Sequence, residues 1–350
     1  MLAVSSARAA GVDADPIKDM IVINALGGLG DPNQPADSLV PQFSPRVLAE
    51  AHASGLTAVN ITIGYVSGSA DPFEQSVRAN SRDLMKILTA ADIRRAKAEG
   101  KTGLIYGFQN GAMMGQDASR VDIFANLGVR IFQLTYNPAN QLGDGSMAPG
   151  NRGLTPFGRE VVARCNAQRV MVDLSHSGEQ TCLEAARISK QPISINHTGC
   201  RAVTNLPRNK TDAELKLVAD RGGFIGIYFM PFLDLSGHAR AEHVVAHIDH
   251  AVNLCGEDHV GIGTDGTVTQ IDDLKAYEAV LAKEIAARQA AGISAKGERP
   301  DTYPFVVDLR GPDQFRKLAT LLRAKGYSTA RIEKILGGNF LAYAETIWGA

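Results

Sequence analysis

Short apolar runs rich in β-branched and aromatic residues recur along the chain, and a stretch with helical spacing of apolar residues follows most of them. Near-continuous apolar runs of strand length are typical of strands that are buried on both faces of a parallel sheet. The pattern predicts eight such strands, over residues 21–26, 57–63, 103–109, 129–135, 169–174, 192–196, 223–229 and 259–263.

The segments between these strands have the features of amphipathic helices. Thr155 precedes a proline, and Glu214 follows Thr211 by three positions, which is the spacing of a capping box. Helical segments are predicted over 75–100, 155–168, 211–222 and 241–256, with closing helices over 312–348.

Eight strands that alternate with helices favour a (β/α)8 TIM barrel over an open doubly wound sheet. No G-x-G-x-x-G motif follows the first strand, which also argues against a dinucleotide-binding fold. The prediction is a single barrel domain over residues 21–350, with its closing helices at the C-terminal end.

Residues 1–20 are interpreted as an N-terminal tail. The Ala-Arg-Ala sequence within it resembles the small-residue cleavage site of an export signal, but a charged n-region and a long apolar h-region are missing. A disordered tail and the remnant of an export signal are both open interpretations. The location is therefore also open, with a periplasmic or exported protein slightly favoured over a cytoplasmic one.

In a barrel of this kind, catalytic groups lie at the C-terminal ends of the strands. The fifth and sixth predicted strands are followed by His176 and His197, and the eighth by Asp265. Neutral imidazoles are common zinc ligands, and a carboxylate can act as a ligand or as a general base. These residues predict a metal or hydrolytic site, although a single histidine at a strand end is more often structural.

Other charged and ionisable residues add less to this picture. Arg208, in the loop after the sixth strand, could bind a substrate carboxylate, and the alternative is a solvated charge. His243, His247 and His250 share one face of one helix, so we expect a packed or solvated face there.

The composition limits the class of partner. Hydrophobic residues make up 45% of the 350 residues, charged residues make up 21%, and the formal net charge is -1. A nucleic-acid partner is not expected from this balance. The longest apolar runs have the length of strands, so no transmembrane segment is predicted either.

Four blocks of the sequence resemble the membrane (renal-type) dipeptidase family of metal-dependent peptidases. They are "GLTPFGREVVARCNAQRVMVDLSHSGEQT", "PISINHTGCRAV", "PRNKTD" and "HIDHAVNLCGEDHVGIGTD", and their order and spacing match the family. The resemblance covers nearly the whole chain after the first twenty residues. It implies a (β/α)8 barrel, a two-zinc site that hydrolyses dipeptides, and a homodimer.

The resemblance also implies roles for individual residues. His176 and His197 match zinc-binding histidines of the family, and Asp265 matches its catalytic acid/base carboxylate. Arg208 matches the arginine that holds the terminal carboxylate of the substrate. Tyr136 stands where the family has a substrate-contacting histidine after strand four.

Two further positions depart from the family in residues that hold metal. The first strand of the family ends on Asp-Gly-His-x-Asp, whose His and last Asp bind zinc, and here residues 24–28 read Asn-Ala-Leu-Gly-Gly. In the family a glutamate bridges both zincs. Gln109 stands at that position here, and its neutral carbonyl is a weak ligand. We therefore expect at most one zinc per chain, on His176 and His197 with Asp265, Gln109 or water, or else no metal.

Two functional hypotheses follow. The first is a dipeptidase-like hydrolase that cleaves a dipeptide or a small amide bond, with one metal or an altered metal site. The second is a catalytically inactive homologue that binds a small ligand in the same pocket. Either way, the expected partner is a small peptide-like molecule.

Overall fold

The computed structural model of the chain describes residues 15–34, 43–63 and 70–349. Residues 1–14 of the predicted tail, and Gly64 and Tyr65 directly after the second predicted strand, lie outside these ranges. Residues 15–20 form a turn, and the Ile17 side chain is buried in the main hydrophobic core. No helix within the described ranges is long and apolar enough to cross a membrane.

The described strands form one parallel sheet. They are β1 (Ile23–Gly28), β2 (Ala58–Thr62), β3 (Leu84–Lys86), β4 (Thr102–Phe108), β5 (Val129–Gln133), β6 (Met171–Asp173), β7 (Ser194–Thr198), β8 (Phe224–Ile227), β9 (Val260–Ile262) and β10 (Gly266–Thr267). Their order is β10-β1-β2-β4-β5-β6-β7-β8-β9, and β3 pairs with β4 from outside this path.

This order confirms the predicted TIM-barrel architecture. Each of the eight predicted strands overlaps one observed strand, and the two additional strands are the short β3 and β10. The short β10 follows β9 in the chain and pairs in parallel with β1 through Gly27 and Gly266, so the strand order returns to β1. The C-terminal ends of the strands therefore meet on one rim, where a barrel of this type carries its active site.

Helices pack around the sheet. They are α1 (Pro45–Ala53), α2 (Ala70–Ala79), α3 (Ala90–Glu99), α4 (Arg120–Asn126), α5 (Pro156–Ala167), α6 (Glu179–Ile188), α7 (Asp212–Asp220), α8 (Ala241–Cys255), α9 (Leu274–Ala290), α10 (Gln314–Ala324), α11 (Thr329–Glu333) and α12 (Asn339–Trp348). Of these, α3, α4, α5, α7 and α8 each contact the strand that follows them. Both predicted caps are present: the Gly158 N–H donates to the Thr155 hydroxyl, and Thr211 and Glu214 form a capping box.

The predicted continuous helix over 75–100 is wrong in its middle. The helix α2 ends at Ala79, β3 then pairs with β4, and α3 begins after Thr89, whose side chain forms a capping box with Asp92. The physical reason is burial, because Leu84 and Ile87 are both enclosed by the core. The capping signal at Thr89 was present in the sequence, but the apolar spacing of the flanking helices obscured the break.

The face of α8 that carries three histidines is packed at its centre. The His247 Nδ1 atom accepts a hydrogen bond from the Cys200 N–H at 2.8 Å, and its Nε2 atom lies 3.1 Å from the Leu233 carbonyl oxygen. His243 and His250 are partly exposed, and His250 Nε2 lies 2.8 Å from an Asp212 oxygen. This arrangement fits the expected packed or solvated face.

Acidification is expected to destabilise the fold through His247. Burial lowers the pKa of this imidazole to about 4, so the folded protein holds it neutral. Its contribution to the free energy of unfolding is complete above the unfolded pKa of about 6.5. It is lost as the pH falls toward 4, and the loss is at most about 3 kcal/mol. Urea unfolding at several pH values checks this dependence.

The control for this pH dependence is a pair of variants. His247→Gln should be less stable than the wild type at pH 7 and should lose less stability between pH 6.5 and 4. His238→Gln changes a histidine whose side chain is 47% exposed, and it should keep the pH dependence of the wild type. If both variants follow the wild-type curve, His247 is not the group responsible.

Candidate active site

Two histidines and an aspartate come together on the C-terminal rim of the barrel. His176 follows β6, His197 lies in β7, and Asp265 lies between β9 and β10. The two imidazole ring centroids are 4.9 Å apart, and both rings are buried. The structure therefore places on one rim the residues that strand-end counting had selected from distant parts of the sequence, with the two histidines in contact.

The His176 ring is held between two neighbours that follow strand β5. Its Nδ1 atom lies 2.8 Å from the Asn137 Oδ1 atom, and the Tyr136 ring stacks on it with centroids 4.2 Å apart. Within the described ranges, the Nε2 atom has no hydrogen-bond partner. Burial lowers the pKa of His176 well below its usual value, and the nearby Arg208 cation adds to this effect. The imidazole is therefore neutral and keeps a lone pair available.

His197 is buried below the rim with both ring nitrogens unpaired among the described side chains. Its Nδ1 atom lies 4.0 Å from an Asp173 oxygen, which is too far for a hydrogen bond. The other Asp173 oxygen accepts from the backbone N–H groups of Ser175 and Asn196, each at 3.0 Å. Burial also lowers the pKa of His197, so this second imidazole is neutral as well.

Arg208 connects the backbone next to His176 with the backbone of His197 through hydrogen bonds. Its Nη1 group donates to the Ser175 carbonyl at 2.6 Å, and its Nη2 group donates to the His197 carbonyl at 3.1 Å. The side chain is almost completely buried and lies over the Tyr228 ring. The role of Arg208 in binding a substrate carboxylate stays a prediction, and such a carboxylate must reach its remaining N–H groups.

Asp265 is the third ionisable residue of the rim. Its backbone is left-handed, with a φ of 58°, and its N–H donates to the Leu26 carbonyl at 2.8 Å. Burial raises the pKa of Asp265 to about 6, although Arg208 and a hydrogen bond from the Gln109 side chain act to lower it. A carboxylate with a pKa near neutrality is suited to general acid–base catalysis.

The end of β1 supports Asp265 through the backbone and supplies no ionisable group. The Asn24 side chain donates to the Thr264 hydroxyl at 2.8 Å and accepts from the Thr264 N–H at 2.7 Å. A Cβ atom at Gly27 would collide with this amide and with the Gly266 carbonyl, so glycine is required there. At Gly28, by contrast, a Cβ atom would have no neighbour within 4 Å.

These donors do not fit a two-zinc centre. No group of three or more His, Cys, Asp and Glu side chains that could hold a metal ion occurs in residues 15–34, 43–63 and 70–349. Leu26 and Gly28 have no ligating atom in their side chains, and the Gln109 amide contacts Asp265. His176 and His197 supply two nitrogen donors, whereas zinc sites usually have at least three protein ligands.

Sequence reasoning missed three residues that organise the site. Asn137 contacts His176, Asp173 lies beside His197, and the Lys210 Nζ atom donates to the Ser177 carbonyl next to His176. Lys210 also forms a buried ion pair with Glu214, with an Nζ–Oε1 distance of 3.0 Å. The position of Asn137 directly after Tyr136 was a usable signal. A lone lysine in a polar loop gives no sign that it is buried.

Comparison with known proteins places the chain in a family. The model of the family described as "Membrane dipeptidase (Peptidase family M19)" matches residues 65–295. The chain belongs to the membrane dipeptidase family. Members of this family are peptidases, so the chain is a peptidase-like hydrolase, and the resemblance of its sequence blocks to this family is confirmed.

Individual proteins similar to this chain show how far the similarity extends. A dipeptidase of Claviceps purpurea (strain 20.1) is 32% identical over 256 residues, which cover 72% of this chain and 52% of that protein. The chain thus matches about half the length of that relative. The crystal structure of an amidohydrolase from Pseudomonas aeruginosa is 30% identical, with a TM-score of 0.80 and coverage of 96% of this chain and 98% of that one.

A third comparison concerns the fold alone. The structure of a metallopeptidase from Rhodobacter sphaeroides, liganded with a phosphinate mimic of the dipeptide L-Ala-D-Ala, is 22% identical to this chain. Its TM-score is 0.72, and the match covers 94% of this chain and all of that one. The two chains therefore share a fold at low sequence identity.

Proposed function

We propose that this member of the membrane dipeptidase family hydrolyses a dipeptide or another small amide that carries a free carboxylate. The observation that carries the proposal is Asp265, a carboxylate whose pKa is raised to about 6 near Arg208 and on the same rim as two neutral histidines. The family membership supports the reaction class. The direct test is the release of amino acids from a panel of dipeptides, with and without added zinc.

Asp265 is the acid–base group in this proposal. Its ionised carboxylate takes a proton from a water molecule whose oxygen attacks the amide carbon. The same proton then passes to the leaving nitrogen as the carbon–nitrogen bond breaks, so one carboxylate serves both steps. The unpaired Nε2 atom of His176 can accept a hydrogen bond from the substrate or from the attacking water.

The carboxylate of the substrate is assigned to the positive side of the rim. Arg208 and Lys210 are both buried there, and both lower the pKa of the neighbouring histidines by their charge. Because Glu214 compensates the charge of Lys210, Arg208 supplies the positive potential that favours an anionic group of the substrate over a neutral one. We therefore expect a dipeptide with a free C-terminal carboxylate to be cleaved faster than the matching dipeptide amide.

The metal content is expected to be at most one zinc per chain, on His176 and His197. Elemental analysis of protein purified from zinc-supplemented cells measures it, and two zinc ions per chain would contradict the proposal. The triple variant Leu26→His, Gly28→Asp and Gln109→Glu restores the missing ligand types, and position 28 has open space for a side chain. This variant should bind at least one zinc more than the wild type.

A second candidate function is a catalytically inactive homologue that binds a small ligand. Leu26, Gly28 and Gln109 favour it, because they stand where the resembled family has metal-binding side chains. The same experiments separate the two candidates. A wild type that cleaves no dipeptide, together with a triple variant that does, would support the inactive homologue.

Assembly and location are further parts of the proposal. The family resemblance implies a homodimer, and the sequence slightly favours an exported or periplasmic protein over a cytoplasmic one. Light scattering of the purified chain tests the dimer, and fractionation of cells that express the full-length gene tests the location.

A further inference from the structure

Asn137 links His176 to a distant segment of the chain. Its side chain is buried, its Oδ1 atom lies 2.8 Å from His176 Nδ1, and its Nδ2 atom lies 2.9 Å from the Ile293 carbonyl oxygen. Ile293 belongs to the segment that follows α9, 156 residues further along the chain. The Ser146 hydroxyl also donates to Asn137 Oδ1, at 3.1 Å.

These contacts determine which way the Asn137 amide faces. A backbone carbonyl can only accept, so the atom that faces Ile293 must be the NH2 group of the amide. The atom that faces His176 is then the amide oxygen, which has no hydrogen to donate. It follows that the His176 Nδ1 atom carries the ring proton, and that Nε2 keeps its lone pair.

We propose that Asn137 is a positioning residue that holds neutral His176 in its Nδ1–H tautomer and so presents the Nε2 lone pair to the active site. In water the Nε2–H form of histidine is the commoner one, so the protein reverses the ordinary preference. With Nε2–H, the Asn137 oxygen and the bare Nδ1 atom would face each other as two buried acceptors, which is unfavourable. The Ile293 carbonyl fixes the amide, so the segment after α9 takes part in selecting the tautomer.

His247 is an internal reference, because its hydrogen bonds require the opposite tautomer to the one proposed for His176. Its Nδ1 atom accepts from a backbone N–H, which can only donate, so its ring proton is on Nε2. The neighbouring Leu233 carbonyl accepts from that Nε2–H group at 3.1 Å. One protein thus contains two buried neutral histidines that are expected to differ in tautomer.

The experiment is a long-range 1H–15N correlation spectrum of metal-free protein labelled with 15N-histidine, recorded at neutral pH. Protonated and bare ring nitrogens differ widely in 15N chemical shift, and His176→Gln and His247→Gln assign the two signals. Removal of metal matters, because a metal on Nε2 would by itself leave the proton on Nδ1. The expected result is Nδ1–H for His176 and Nε2–H for His247.

Three variants test whether Asn137 is the cause. Asn137→Leu removes the acceptor and should lower the ratio of Nδ1–H to Nε2–H at His176 by roughly tenfold or more. Asn137→Asp keeps an acceptor toward His176 and should keep the proton on Nδ1, also where the added charge protonates Nε2 as well. Ser146→Ala removes only a neighbouring contact and should also leave the tautomer unchanged. In all three variants the His247 signal should stay as in the wild type, which reports that the fold is intact.

Two results would overturn the proposal. One is an Nε2–H signal for His176 in the wild type, and the other is an unchanged Nδ1–H ratio in a folded Asn137→Leu variant. If Asn137→Leu does not fold, the wild type and Asn137→Asp still decide the question, because both must show Nδ1–H. The spectrum requires no turnover, so its outcome is independent of whether the protein hydrolyses dipeptides.

Discussion

Replacing Asp265 by asparagine is expected to lower kcat for dipeptide hydrolysis by about 10²- to 10⁴-fold. The amide cannot accept a proton from water, whereas the carboxylate can. Asparagine is the suitable replacement because the backbone at this position is left-handed, a conformation that asparagine adopts more easily than most other residues. Steady-state kinetics with the best dipeptide of the panel measure the loss.

The pH dependence separates a loss of the base from a general loss of structure. Because the pKa of Asp265 is raised to about 6, wild-type kcat/KM should rise as the pH increases through 6 and level off above it. In Asp265→Asn the residual activity should not show this rise. A residual activity that still follows the wild-type profile would show that another group is the base.

Stability is the second check on this variant. The folded pKa of Asp265 lies above its unfolded value of about 3.8, so ionisation favours the unfolded state. The wild type therefore loses stability through this group as the pH rises from about 4 to 6, and above that range Asp265→Asn should be at least as stable as the wild type.

Asp258→Asn is the control for activity. Asp258 lies just before β9, at the opposite end of that strand from Asp265, and its side chain is 70% exposed, so this variant should leave kcat unchanged.

Replacing Lys210 by methionine is expected to destabilise the fold by about 3–5 kcal/mol. The side chains of Lys210 and Glu214 are only 2% and 1% exposed, so the variant leaves the Glu214 carboxylate buried without its cation. The variant also removes the hydrogen bond to the Ser177 carbonyl, next to His176. Chemical denaturation at pH 7 measures the change in the free energy of unfolding.

The helix α7, which carries Glu214, offers a matched control. Lys216 and Asp220 form an ion pair with the same spacing, but both side chains are 56% exposed. Lys216→Met should therefore change stability little, because water already solvates both charges. The double variant Lys210→Met, Glu214→Leu should recover much of the loss, because it removes the buried charge that the single variant leaves behind. Equal effects of Lys210→Met and Lys216→Met would show that burial of the first pair is unimportant.

Local patterns in the sequence were enough to predict the barrel and most of the candidate site residues on its rim. Each predicted strand is a short apolar run, and strand burial is a local property that the order of residues records directly. The ends of parallel strands meet on one rim whatever the details of packing, so His176, His197 and Asp265 could be placed together from counting alone. The strand β3 was missed because its three residues lie between two helices whose apolar spacing resembles one longer helix.

The sequence by itself also determined that the end of β1 carries no metal-binding side chain, since Leu26 and Gly28 are fixed by identity alone. Only the tertiary structure decided that Arg208 is buried against two carbonyls, that Lys210 is paired inside the core, and that Asn137 joins His176 to Ile293. These contacts connect residues far apart in the chain. Their burial depends on the packing of several elements at once, and no local pattern of hydrophobic and polar positions records it.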